Sequence, residues 1–76
     1  MNNKRREVLR GVIGKLEDCR STVESVMDEE QDCFDNLPEN FQSYTTGEKM
    51  EEAISNLEDA SSKIEEAISS VEAAME

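Results

Sequence analysis

Along residues 45–75 the apolar positions recur at alternating intervals of three and four. Ile54, Ser61, Ile68 and Met75 form one column, and Met50, Leu57, Ile64 and Val71 the other, with Ser61 the single polar interruption. Ala53, Ala60, Ala67 and Ala74 recur at every seventh residue beside this seam. Glu51, Glu58, Glu65 and Glu72 recur on its other flank, and Ser55, Ser62 and Ser69 lie outside. Such spacing is the signature of a helix packed in a coiled coil. The first half of the chain is also helical in pattern, but its apolar face is broader. Val12, Cys19, Val26 and Cys33 repeat every seven residues, with Leu9, Ile13, Leu16, Val23, Met27 and Phe34 beside them. A stripe that wide touches more than one neighbouring helix. Gly11 and Gly14 each cost about 1 kcal/mol in helix propensity, so the first turns either fray or admit another backbone closely.

The breaks between these segments are local and readable. Asn36 suits a helix C-terminus, and Pro38, the one proline, prevents simple continuation. Thr45 followed by Glu48 fits a capping box that starts the second helix. Leu37, Phe41 and Tyr44 are apolar enough to fold over the end as a lid. The pattern therefore predicts a single all-α domain over residues 1–76: a first helix over about 4–35, a loop over about 36–44 and a second helix over about 45–75. A short connection makes the two helices an antiparallel, coiled-coil-like hairpin, and at 1.5 Å per residue each is about 45 Å long. Two helices alone cannot enclose the wide first stripe, and an exposed apolar strip of that size marks an association surface. The expectation is a homodimer forming a four-helix bundle, or a hairpin that completes its core on another protein. The expected association face is Leu9, Val12, Leu16, Cys19, Val23 and Val26.

Charge changes the picture most. The 76 residues carry 19 acidic and 8 basic side chains, a net charge of −11. Residues 1–20 hold six basic and three acidic residues (+3), and residues 60–76 hold Lys63 against four Glu (−3). These stretches lie side by side in an antiparallel hairpin and cancel. Residues 21–59 hold twelve acids and only Lys49, so the whole net charge falls on the half that carries the loop. An acidic chain with a pI near 4.3 is a poor direct ligand for nucleic-acid phosphates or anionic membrane. The acidic surface serves either as a solvated face that keeps a small bundle soluble, or as a docking end built from Asp28, Glu29, Glu30, Asp32, Asp35, Glu39, Glu48, Glu51 and Glu52. In the second case it enters a basic groove that normally holds nucleic acid, imitating phosphate charge rather than phosphate shape.

Candidate chemistry is sparse. With no His in the chain, the usual general base and the usual zinc ligand are missing, and neither Ser nor Cys has an activating partner. Asp28, Glu30, Asp32 and Glu39 fall at positions one, three, five and twelve of a calcium-loop window. However, Cys33 stands where that loop needs Gly, and the window crosses a predicted helix. Cys19 and Cys33 lie about 21 Å apart along one helix and cannot bond within the chain. They read as reduced, small core residues; alternatively, first helices packed antiparallel about Val26 bring Cys19 to Cys33 of a second copy. No run approaches a membrane span, and the Lys4-Arg5-Arg6 start lacks a signal-peptide core. The expectation is a cytoplasmic protein without enzymatic activity, cofactor or metal, and with no direct nucleic-acid or membrane binding.

Three segments carry a resemblance: Asn36-Leu37-Pro38-Glu39-Asn40-Phe41-Gln42, Gly47-Glu48-Lys49-Met50-Glu51-Glu52-Ala53-Ile54, and Asn56-Leu57-Glu58. Together with the basic Asn3-Lys4-Arg5-Arg6 start, the chain resembles short acidic hairpin proteins encoded by phages and prophages of Firmicutes. No activity or binding residues come with that group. The resemblance implies a mobile-element origin and a bacterial host cytoplasm, where small acidic proteins often inhibit host defence. The functional expectation is an anti-CRISPR-like inhibitor that blocks a host defence or nucleic-acid-handling protein through its acidic loop end. The alternative is a self-associating structural or assembly bundle.

Overall fold

The hairpin follows from the two apolar seams. This computed structural model describes residues 1–42 and 44–76, and among them there are three helices and no strand: α1 (Asn3–Asp35), α2 (Glu39–Gln42) and α3 (Thr45–Ala74). Asn2 caps α1, its side-chain oxygen accepting the Arg5 backbone N–H at 2.8 Å, which satisfies one of the free donors of a helix start. At the other end the Asn36 N–H still reaches the Asp32 carbonyl at 3.1 Å, and Pro38 then stops the helix as expected.

The predicted loop, 36–44, differs in detail and includes Ser43, which lies outside the described residues. Pro38 opens a short helical turn, α2, because it lacks only an N–H that the first turn leaves unbonded. Its carbonyl accepts from Phe41 and Gln42 at 2.8 and 3.3 Å. Gln42 Nε2 donates to the Leu37 carbonyl at 3.1 Å, tying the turn to the end of α1. The capping box is not formed. Tyr44 is the N-cap of α3 and makes no side-chain cap bond; its carbonyl accepts from Glu48 N–H at 2.9 Å, so Thr45 already lies inside the helix. Nor do the rings form a lid: Leu37 is half-buried, but Phe41 and Tyr44 stand exposed, edge to face with centroids 5.7 Å apart.

Backbone contact closes the end instead. Gly47 is buried beneath α2, and a Cβ there would fall on the Gln42 carbonyl oxygen, 2.7 Å from its carbon and 2.8 Å from the Gln42 Cα. Gly11 and Gly14, by contrast, face open space.

α1 and α3 run antiparallel over a rod of 58 × 14 × 12 Å. Their register runs from Arg6, whose Nε donates to the Met75 carbonyl at 2.8 Å, to Glu24, which accepts from Ser61 Oγ at 3.2 Å. Leu9, Ile13, Leu16, Val23, Met27 and Phe34 of α1 are half-buried, as are Met50, Leu57, Ile64 and Val71 of α3. Only Ile54 and Ile68 among the apolar residues reach 8% exposure, with Ser61 at 9% between them. The core is a line of side chains, not a volume.

The three glycines should therefore respond in opposite senses to alanine. Gly11→Ala and Gly14→Ala gain up to about 1 kcal/mol of helix propensity and raise the Tm. Gly47→Ala meets backbone that cannot yield cheaply and loses about 1–3 kcal/mol. Thermal unfolding followed by circular dichroism checks both signs; a Gly47→Ala protein as stable as the parent would refute the close approach.

Candidate functional site

Antiparallel packing gives the rod two unlike flanks. Arg20 identifies the first. Its guanidinium lies 3.1 Å from Glu24 of α1 and 3.9 Å from Glu65 of α3, so the columns holding these residues border the seam on the same side. Arg10, Glu17, Glu24 and Gln31 line that side from α1, and Glu51, Glu58, Glu65 and Glu72 from α3. On the opposite side α1 presents Val12, Cys19, Val26 and Cys33, and α3 presents Ala53, Ala60, Ala67 and Ala74. One flank is acidic and the other apolar.

The expected association face divides between seam and surface. Leu9, Leu16 and Val23 are half-buried in the hairpin's own seam, whereas Val12, Cys19 and Val26 are exposed. Residues 9, 16 and 23 lie one column round the helix from 12, 19 and 26, and α3 covers only the first column. The same geometry corrects the reading of the cysteines as core residues: both thiols are exposed.

The acidic residues gather at the loop end but do not converge. Asp28, Glu29, Asp32, Asp35, Glu39, Glu48, Glu51 and Glu52 are all exposed, while Glu30 occupies a half-buried position on the edge of the seam. Among the described residues no three His, Cys, Asp or Glu side chains come together as a metal site, and the calcium-loop window is helical through Asp35. Among those residues none of these nine carboxylates makes an ion pair; the ion pairs present belong to Arg20. They form a diffuse negative field around one end of a rod.

Sequence reasoning missed one feature of this end. A groove on the acidic flank is lined by Gln31, Phe34, Glu51, Ile54, Ser55 and Glu58. Phe34 and Ile54 make it apolar while Glu51 and Glu58 charge it, a combination suited to the aliphatic stem and cationic head of Arg or Lys. Pairing the flanking columns of two antiparallel heptads would have brought Gln31 and Glu58 together.

Charge also follows the helix ends. The first turn of α1 contains Lys4, Arg5 and Arg6 with no acid, and its last turn has no base, the reverse of what its own macrodipole favours. In the hairpin those bases lie beside the C-terminus of α3, where Arg6 bonds the Met75 carbonyl. The acidic end of α1 lies beside the N-terminus of α3. The ends of α1 thus complement its neighbour. The acid excess at the loop end nevertheless exceeds what one helix N-terminus, worth about half a charge, can offset.

The class this defines is an acidic antiparallel helical hairpin with one charged and one apolar flank. No protein-family model matches the chain, and neither the curated proteins nor the solved structures yield a match. Among the described residues, no helix is long and apolar enough to cross a membrane.

Crowded like charge without counter-ions should destabilise the fold at low salt. Asp28→Asn with Asp32→Asn, both on the outer surface of α1, should raise the Tm at low ionic strength, and the gain should shrink as salt screens the field. Paired melts at two salt concentrations check this; a lower Tm in the variant would mean that the carboxylates support the fold.

Proposed function

We propose that the protein is a non-enzymatic binding protein of phage type that occupies a basic, nucleic-acid-handling protein of its bacterial host, such as a CRISPR effector, and blocks it through the acidic loop end. The observation that carries this reading is the set of nine carboxylates about the loop that make no ion pair among the described residues, on a fold whose seam makes no use of eight of them. Charge kept against folding stability points to a use outside folding. The groove between Phe34, Ile54, Glu51 and Glu58 adds a place for a basic side chain, so that contact is not charge alone.

The experiment is affinity capture from bacterial lysate at low and high salt. The comparison protein carries lysine in place of Asp28, Glu29, Glu51 and Glu52. The expected result is a nucleic-acid-handling protein retained at low salt, released by high salt or by added nucleic acid, and absent from the variant. Circular dichroism verifies that the variant remains helical. A retained set identical for both proteins, unaffected by nucleic acid, would sink the reading.

A second reading is favoured by a different observation, the exposed Val12, Val26 and Val8 on a helix whose seam face is already occupied. It makes the chain a self-associating bundle, two hairpins forming four helices. The two readings are compatible, since a dimer built on the apolar flank leaves the acidic flank free.

A further inference from the structure

The apolar flank has a definite extent. The chain exposes 5620 Å², whereas a compact monomer of its 8.6 kDa exposes about 4,700 Å². The excess reflects the elongated shape as a whole; one side of the rod has an area of roughly 800 Å² from its 58 × 14 Å outline. That is close to the area each partner contributes to a stable protein interface, about 800 Å². On that side lie Val12, Val26, Cys19 and the Ala53-Ala60-Ala67 column, with Val8, 64% exposed, at its edge. Small residues along α3 let a second rod approach closely, and valines on α1 give it apolar surface to cover.

Charge selects the orientation. Within α1, residues 1–20 carry +3 and residues 21–35 carry six acids and no base. Two rods stacked on this flank with their loop ends together would set −11 beside −11. Stacked with loop ends apart, each α1 lies along the other α1 in reverse, and the basic half of each meets the acidic half of the other. Crossing at the middle of α1, near Cys19, puts Val12 level with Val26 of the second copy.

We infer that the apolar flank binds a second copy of this chain in the antiparallel sense, giving a four-helix bundle with an acidic loop end at each extremity. The inference rests on the self-association reading above and adds the face and the direction. It also gives the open surroundings of Gly11 and Gly14 no part in the interface, since both lie away from the Val12–Val26 column.

The test uses the full chain with Cys19→Ala, Cys33→Ala and Asn40→Cys, nitroxide-labelled at the loop. Sedimentation equilibrium reads the mass and dipolar spectroscopy reads the label separation on the same sample. The expected result is the mass of two chains with labels separated by a distance close to the 58 Å length of the rod. A two-chain mass with labels about 20 Å apart, two helix diameters, overturns the direction alone. A single-chain mass in a helical protein overturns self-association as well, and leaves the acidic-end proposal to its own test. Val26→Lys in the unlabelled protein separates face from fold: helicity retained and mass halved supports the assignment, whereas a two-chain mass places the interface elsewhere.

Discussion

Two helices packed side by side touch along one line, and this geometric limit governs the rest of the molecule. Each helix has one neighbour, so a column that faces the neighbour is covered and the adjacent column is not. Ile54 and Ile68 are covered because they sit at the centre of that line, and Val12 and Val26 are left out because they sit beside it. A chain of this size already buries a small share of its surface, and a rod buries less than a sphere. Apolar residues beyond the line are therefore surface by construction, available to whatever the surface meets.

The same limit explains the polar layer. Ser61 occupies a seam position between Ile54 and Ile68, and with Glu24, Arg20 and Glu65 it forms a connected set across the two helices. A wholly apolar seam of regular heptads can slide by one repeat with little loss, because each repeat offers the same shape. A hydroxyl opposite a carboxylate satisfies its bond in one alignment, so the layer trades burial for register, as a polar residue at a core position does in coiled coils. Arg6 at the Met75 carbonyl fixes the other end in the same way. Between these two points the hairpin has one alignment.

Legibility in the sequence followed how many columns each helix makes apolar. α3 has two apolar columns and an alanine flank, so its inward face was readable from Met50, Leu57, Ile64 and Val71 alone. α1 has three, and nothing in its own pattern says whether the 9–16–23 column or the 12–19–26 column faces α3. That choice belongs to the pairing of the helices, which is why the expected association face mixed seam with surface and why Cys19 and Cys33 were read as core. The loop failed for another reason. Gly47 is set by the backbone of Gln42 passing over it, a contact no local pattern encodes, and Thr45 resembles a cap although Tyr44 takes that position and starts the helix one residue earlier. The acidic end was legible as a charge, since its location needs only the antiparallel fold, but its groove needed the facing columns.

Charge and shape then act on separate flanks, and that separation has a physical consequence. An apolar contact is short-ranged and little affected by salt, whereas a field of exposed carboxylates reaches about 8–10 Å before physiological salt screens it. Had the acids lined the apolar flank, each association would have had to desolvate them. Placed around the loop end and along the Glu51–Glu72 column, they keep their hydration and their reach while the Val12–Val26 side is free to close. In the antiparallel pair proposed above, the acidic ends lie as far apart as two stacked rods allow, and each lies beside the electrically neutral half of the other. Closing the apolar flank in that sense therefore adds the least repulsion to the charged one, which ties the most charged feature of the sequence to the least charged one.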